Sequence, residues 1–198
     1  MIPVIYDGNC LRPDRSDYLI GKSRKSPLRS LRHSVKLLEK NGAEVIAMPC
    51  NTAHYWYKEL CRCKRRQTVF PDIITAVSKK CYSLGVNRIC LLSTDGTRLS
   101  GIYNEPLFRM GIDQVRVPPS VCEAVRQLIR RIKSGESACL TELEKELCGI
   151  RCDAFLLACT ELSVAFHRTR EPSFTYIDSL SALAEVTALA CGADRFGG

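Results

Sequence analysis

The stretch Glu44-Val-Ile-Ala-Met-Pro-Cys-Asn-Thr-Ala-His-Tyr-Trp-Tyr-Lys-Glu-Leu60 decides how the rest of the chain is read. Val45 to Met48 is a short apolar run of the kind used by a parallel strand buried on both faces, and a helical pattern resumes after Cys50. Cys50 therefore belongs at a strand-to-helix turn. The first amides of a helix have no intrahelical partner and its dipole favours negative charge, so a thiolate or a substrate carboxylate is stabilised there. Asn51 and Thr52 add side-chain donors beside the thiol.

The construction recurs. Asp153-Ala-Phe-Leu-Leu-Ala-Cys-Thr-Glu-Leu-Ser163 is again apolar, ends in Cys159 and continues with Thr160 and Glu161. Two copies of strand, Cys and Thr in one chain predict two similar halves facing each other across a cleft. Glu161 is a further polar group on the substrate side of that cleft, in a first-turn position where an acidic residue also complements the helix dipole.

Length and composition set bounds around this pair. The 198 residues, 45% apolar and 25% charged, are those of an ordinary globular chain with room for one domain or two small ones. No apolar run approaches a membrane span, and Met1-Ile-Pro-Val-Ile-Tyr-Asp7 lacks the regions of a signal peptide, so the expected setting is cytoplasmic with no membrane partner. Twelve cysteines contain no CxxC pair, and His33, His54 and His167 are not grouped to complete a zinc site. No metal is expected, and most of the thiols should be reduced and packed as small apolar side chains. The net charge of +8 is densest in residues 22–32 and 62–66. These read as a solvated helix face and loop rather than a nucleic-acid surface, since no aromatic-interleaved pattern accompanies them.

Along the chain, Pro3 to Tyr6 reads as a strand and Asp7 to Arg15 as a loop carrying Arg15. A helix follows from Pro27 to Lys40, closed by Asn41-Gly42, then the strand Val45 to Met48 and a helix through Tyr55, Leu60 and Cys63. Val69 to Ile74 reads as a strand interrupted at Pro71, Thr75 to Leu84 as a helix, Arg88 to Ser93 as a buried strand, and Thr94 to Thr97 as a polar turn before a helix over 100–110. The remainder alternates: strand 111–117, helix 121–133, a helix from Glu136 or Ser137 through Leu147, strand 153–158, a charged loop 168–173, strand 174–177 and a last helix 180–191. Such alternation defines an α/β chain with largely parallel sheets.

A lone nucleophilic cysteine normally needs a histidine base, and only His54 is near Cys50 in sequence. Two thiols on matched turns suit another task. A thiolate on one face of a carbon acid and a thiol on the other let a proton leave on one side and return on the other, inverting the carbon. Thr52, Thr160 and the local amides could hold a substrate carboxylate, and a second acidic group would be gripped best by an arginine fork.

Four motifs in order, Arg12-Pro-Asp-Arg-Ser-x-Tyr-x-x-Gly-Lys22, Met48-Pro-Cys-Asn-Thr-Ala-His-Tyr55, Leu91-Leu-Ser-Thr-Asp-Gly-Thr-x-x-Ser-Gly-Ile-Tyr103 and Ala158-Cys-Thr-Glu-Leu-Ser-Val164, resemble the aspartate racemase branch of the aspartate/glutamate racemase family. The resemblance implies a two-base amino-acid racemase without cofactor, acting on aspartate or a similar acidic amino acid. It implies two Rossmann-like parallel-sheet domains about a pseudo-twofold axis, with the active site between them and a homodimer as the assembly. Cys50 and Cys159 fall on the catalytic cysteines. Asn51, Thr52 and Thr160 fall on the lining of the α-carboxylate and amino group, Arg15 and Lys133 on the basic positions for a side-chain carboxylate, and Thr94 and Thr97 on a polar loop at the rim. The expected division is 1–73 plus 178–198 for the first domain and 74–177 for the second. Family members open with a strand and a Gly-Gly-Met-Gly-Pro-like loop that have no counterpart before Met1, so the first domain is expected to be one strand short. Ala158 replaces the usual Gly, Asp7-Gly-Asn-Cys10 replaces an Asn-Asn-Pro-Gln-like stretch, and the acidic pair after Pro71 is absent. Two other readings stay open: a catalytically inactive homologue that binds a small acid or a protein partner, and a basic nucleic-acid-binding module.

Overall fold

The computed structural model describes residues 2–8 and 12–193. Its centre is a parallel sheet in the order β2-β1-β3-β4, formed by β1 (Arg88–Ser93), β2 (Asp113–Val115), β3 (Ala154–Ala158) and β4 (Tyr176–Asp178). The β1–β3 pairing runs from Ile89 opposite Ala154 to Ser93 opposite Ala158, so the two strands end side by side just before Thr94 and Cys159. All five residues of β3 are buried, as a strand covered on both faces requires.

Alternate side chains of these strands go to opposite faces, the period of two that a pleated strand imposes. Ile89, Leu91, Leu156 and Ala158 pack against α4 (Ile73–Ser83), α6 (Asn104–Arg109) and α10 (Ser179–Ala190). Cys90, Leu92, Phe155 and Leu157 pack against α7 (Pro119–Lys133), α8 (Thr141–Leu147) and α9 (Thr160–His167). Asp178 caps α10 by accepting from the Leu180 and Ser181 amides, which fixes that helix against the end of β4.

The first part of the chain has its own apolar cluster, built from Leu31 and Val35 of α2 (Leu28–Lys40), from Ile46, Met48, Ala53 and Trp56, from Leu60 of α3 (Tyr57–Cys63), and from Phe70. Here the expected strands are reduced. Val45 and Val69 form a single parallel bridge, with the Ile46 amide donating to the Val69 carbonyl and the Val69 amide to that of Glu44. Val45 to Met48 is buried on alternate positions, Ile46 and Met48 in and Ala47 out, rather than on both faces, since the apolar cluster lies on one side of it. Pro3 to Tyr6 is not a strand: among the described residues it has no ladder partner, and Val4 and Tyr6 are more than four-fifths exposed.

Other boundaries move for local reasons. Val69 to Ile74 is not a strand beyond Val69, because Asp72 caps α4 and Ile73 is already helical. The helix over 100–110 is two: α5 (Asp95–Ser100) stops at Gly101, whose φ of 63° lies in the left-handed region, and α6 follows. Thr94 to Thr97 is the N-cap and first turn of α5. Arg15 opens a short helix, α1 (Arg15–Leu19), capped by Asp14. The helix expected from Glu136 begins at Thr141. Of the Asp7 to Arg15 loop, Asn9, Cys10 and Leu11 lie outside the described residues. Among the described residues no helix is long and apolar enough to cross a membrane, and eleven cysteines are free thiols.

Leu156, fully buried at the centre of β3, measures how far the sheet carries the fold. Leu156→Ala should cost about 2–5 kcal/mol, read by urea denaturation, as cavity-forming core substitutions do.

Candidate active site

Cys159 is the N-cap residue of α9, in extended backbone at the end of β3, and its carbonyl accepts from the Leu162 and Ser163 amides. Cys50 follows Pro49 and precedes a 3-10 turn, Thr52–Trp56, that leads into α3. Both thiols line one cavity of about 80 Å³. Asp14, Arg15 and Ser16 of the α1 start close one side, Thr94 another, and Lys133 at the end of α7 reaches in with Thr160 and Glu161. A wider groove of about 500 Å³ beside β2 and α7 contains Arg98, Arg116 and Arg126 but neither turn cysteine, so the chemistry singles out the smaller space.

Asn51 is buried and both ends of its amide are taken. Tyr103 donates its hydroxyl to Asn51 Oδ1, Asn51 Nδ2 donates to Ser179 Oγ at 2.9 Å, and Ser179 passes its own proton to the Leu157 carbonyl at 2.7 Å. This chain ties the Cys50 turn to β3 two residues before Cys159. Beside it, Thr52 Oγ1 lies 3.0 Å from Thr94 Oγ1 and 2.8 Å from Thr97 Oγ1, and Thr94 also accepts from the Thr97 amide. Thr97 stands behind Thr52, fully buried, rather than at the rim.

His54 is not a base for Cys50. Its Nε2 accepts from the Ile73 amide at 3.2 Å, which leaves the proton on Nδ1 to donate to the Cys50 carbonyl at 2.8 Å. Burial holds its pKa below the usual histidine range, against the opposing hydrogen bond to Cys50 and the charge of Asp72. The ring is a brace between the Cys50 turn and the start of α4.

The two thiols have unlike neighbours. Cys159 Sγ donates to Glu161 Oε2 at 2.8 Å, an oxygen that also accepts from Thr160 Oγ1 at 3.2 Å, and Lys133 Nζ stands 3.9 Å from Glu161 Oε1. Burial first, then the charge and hydrogen bond of Glu161, push the Cys159 thiol well above its ordinary range. On the other side Arg15 meets Cys50. Burial works against the guanidinium's charge, but Cys50, through its charge and a hydrogen bond, and then Asp14 and Glu161 more than offset it, so the Arg15 pKa is raised.

The cavity thus gathers Cys50, Cys159, Asn51, Thr52, Thr160, Arg15, Lys133, Thr94 and Glu161, with Thr97 directly behind. Sequence reasoning did not single out Asp14, Ser16, Tyr103, Ser179 or Gly96. Tyr103 closes the third motif, and its position there was the available signal. Gly96 is legible only in three dimensions: a Cβ on it would come 2.6 Å from the Ser16 Cα, so its bareness lets α1 press Arg15 into the cavity.

This α/β frame is one found among amino-acid racemases. The Asp/Glu/hydantoin racemase family model matches residues 2–187, and the chain belongs to that family. It is 28% identical over 156 residues to the broad specificity amino-acid racemase RacX of Bacillus subtilis (strain 168), which covers 76% of this chain and 66% of the relative, so it spans a little under two thirds of that protein's length. Among solved structures, Picrophilus torridus aspartate racemase superposes with a TM-score of 0.75 at 28% identity, covering 93% of this chain and 77% of that one. An aspartate racemase homologue from Pyrococcus horikoshii OT3 shares the fold with a TM-score of 0.68 at 22% identity, covering 89% and 80% of the two chains. Among the described residues no group of metal-ligating side chains is placed to hold an ion.

Two substitutions test the supports. Tyr103→Phe leaves Asn51 Oδ1 buried without its donor and should cost about 1–3 kcal/mol in urea unfolding. Gly96→Ala should displace α1 and withdraw Arg15 from the cavity; α1 unmoved in a crystal structure of the variant would show that this contact does not set its position.

Proposed function

We propose that the chain is an amino-acid racemase that interconverts the enantiomers of aspartate, or a similar acidic amino acid, with Cys50 and Cys159 as the two bases and no cofactor. The observation that carries this reading is the shared cavity: two cysteine sulfurs border one small space together with Arg15 and Lys133. One sulfur takes the Cα proton as a thiolate and becomes a thiol. The other, on the opposite face, gives its proton to Cα, so the carbon is inverted and the pair is left with its charges exchanged. Thr52 and Thr160 with the turn amides would hold the α-carboxylate, and Arg15 with Lys133 the side-chain carboxylate, since charge-assisted bonds favour an acidic substrate. The aspartate racemase among the structural relatives supports that substrate class, and the broad specificity of the Bacillus relative makes it the point to test.

Racemisation of D- and L-aspartate, followed by circular dichroism and by solvent deuterium entering Cα, is the direct assay, run beside glutamate and a neutral amino acid. Cys50→Ser and Cys159→Ser should each lower the rate by at least about 100-fold, the lower end of what a positioned acid or base contributes. An unchanged rate in either variant removes the two-thiol mechanism, and equal rates on the neutral amino acid remove the acidic specificity.

A further inference from the structure

Symmetry of construction does not make the two thiols equivalent. We propose that Glu161 keeps Cys159 as the protonated member of the pair in the resting protein, so that Cys159 gives the first proton to substrate and Cys50 takes the first one. The inference deepens the racemase reading and rests on it.

The geometry requires a donor at Cys159. Glu161 as a carboxylate only accepts, and its Oε2 lies 2.8 Å from the Cys159 sulfur, a distance that is favourable for S–H and repulsive for a thiolate. The other carboxylate oxygen of Glu161 lies 3.9 Å from Lys133 Nζ, and the side chain faces Arg15 across the cavity. The charged and titratable groups around Cys159 are Glu161 from its own helix, Lys133 from α7, Arg15 of α1 with Asp14 that caps it, and Cys50 across the cavity. Arg15 shares the cavity wall with Cys50, whose charge favours the guanidinium, so positive charge faces one sulfur while a carboxylate meets the other.

This polarity has a consequence for turnover. After one inversion the Cα–H bond on one face has broken and its proton is on Cys50, while the proton of Cys159 has become the new Cα–H bond on the other face. Cys159 is then a thiolate against a carboxylate. Reaction of the opposite enantiomer restores the start directly; for the same enantiomer a proton must pass from Cys50 to solvent water and from solvent water to Cys159. Glu161 favours that return because it destabilises the Cys159 thiolate.

The test is a pH titration of protein labelled with ¹³Cβ-cysteine, with the Cys159 resonance assigned through Cys159→Ser. In the unsubstituted protein Cys159 should still read as a thiol at pH 9, consistent with the direction that its burial and Glu161 impose. In Glu161→Gln its midpoint should fall by about one pH unit or more, a roughly tenfold gain in thiolate at a given pH below the midpoint. Because Cys159 must be protonated to donate, activity in the direction it serves is present below its midpoint and lost above it, so the alkaline limb of the kcat/KM profile should move to lower pH in Glu161→Gln. A Cys159 thiolate at neutral pH in the unsubstituted protein, or an unmoved midpoint in the folded variant, overturns the proposal. The titration needs no turnover: absent racemisation with the expected shift defeats the enzyme reading alone, and racemisation without the shift defeats this inference alone.

Discussion

Everything at the cavity depends on the buried amide of Asn51. Its carbonyl accepts from Tyr103 and its NH2 donates to Ser179, whose proton is already committed to the Leu157 carbonyl. Reversing the amide would set its carbonyl against Ser179 Oγ, whose proton is already given to Leu157, so the chain of bonds has one direction. Groups this deeply buried are costly to leave unpaired, by about 1–3 kcal/mol each, and the network therefore selects one arrangement of the Cys50 turn relative to β3. Since Cys159 directly follows β3, the spacing of the two sulfurs is set by side chains that touch neither of them. His54 holds the same turn from the other side, through the Cys50 carbonyl and the capped start of α4.

Given that frame, difference between the halves comes from what each turn meets. The thiol at the start of α9 has a carboxylate two residues later, on the same first turn, and so the helix itself delivers Glu161 to Cys159. The Cys50 turn has no acid at the matching position; Thr52 stands there, held in a group of three hydroxyls with Thr94 and Thr97. Its charged partner arrives from far away in the chain, Arg15 on α1, and only because Gly96 leaves room for the Ser16 backbone. One cysteine turn thus carries an acidic partner built into its own helix, and the other faces a basic partner brought from elsewhere in the chain.

How much of this was legible in the sequence follows from the range of the interactions. The Ala154–Ala158 strand, the Cys159 turn and the helices over 28–40 and 119–133 were readable within a residue or two, because apolar runs and helical spacing are local signals. The first-part strands were not: Val45 to Met48 has strand composition, but a ladder needs a neighbour, and a composition cannot count its partners. Gly101 broke a helix that periodicity alone ran through, because a left-handed glycine looks like any other until its φ is known. At the site, each residue named from the motifs lies at or directly behind the cavity, while Tyr103, Ser179 and Gly96 became visible only through contacts across long sequence separations.

The two cations of the cavity are not interchangeable on the racemase reading, and the difference is one of exposure. Lys133 is about half exposed, and its 3.9 Å approach to Glu161 is a loose ion pair of the kind that contributes little and can be exchanged for another carboxylate at small cost. Arg15 is less exposed and faces Cys50, so moving it to a substrate carboxylate would, on the same reading, draw positive charge away from that sulfur. On that reading an incoming acidic side chain is met most cheaply by Lys133, with the Arg15 fork on the same cavity wall. Discrimination between acidic and neutral substrates then falls on the end of α7, and the charge balance of the thiol pair on α1 and α9.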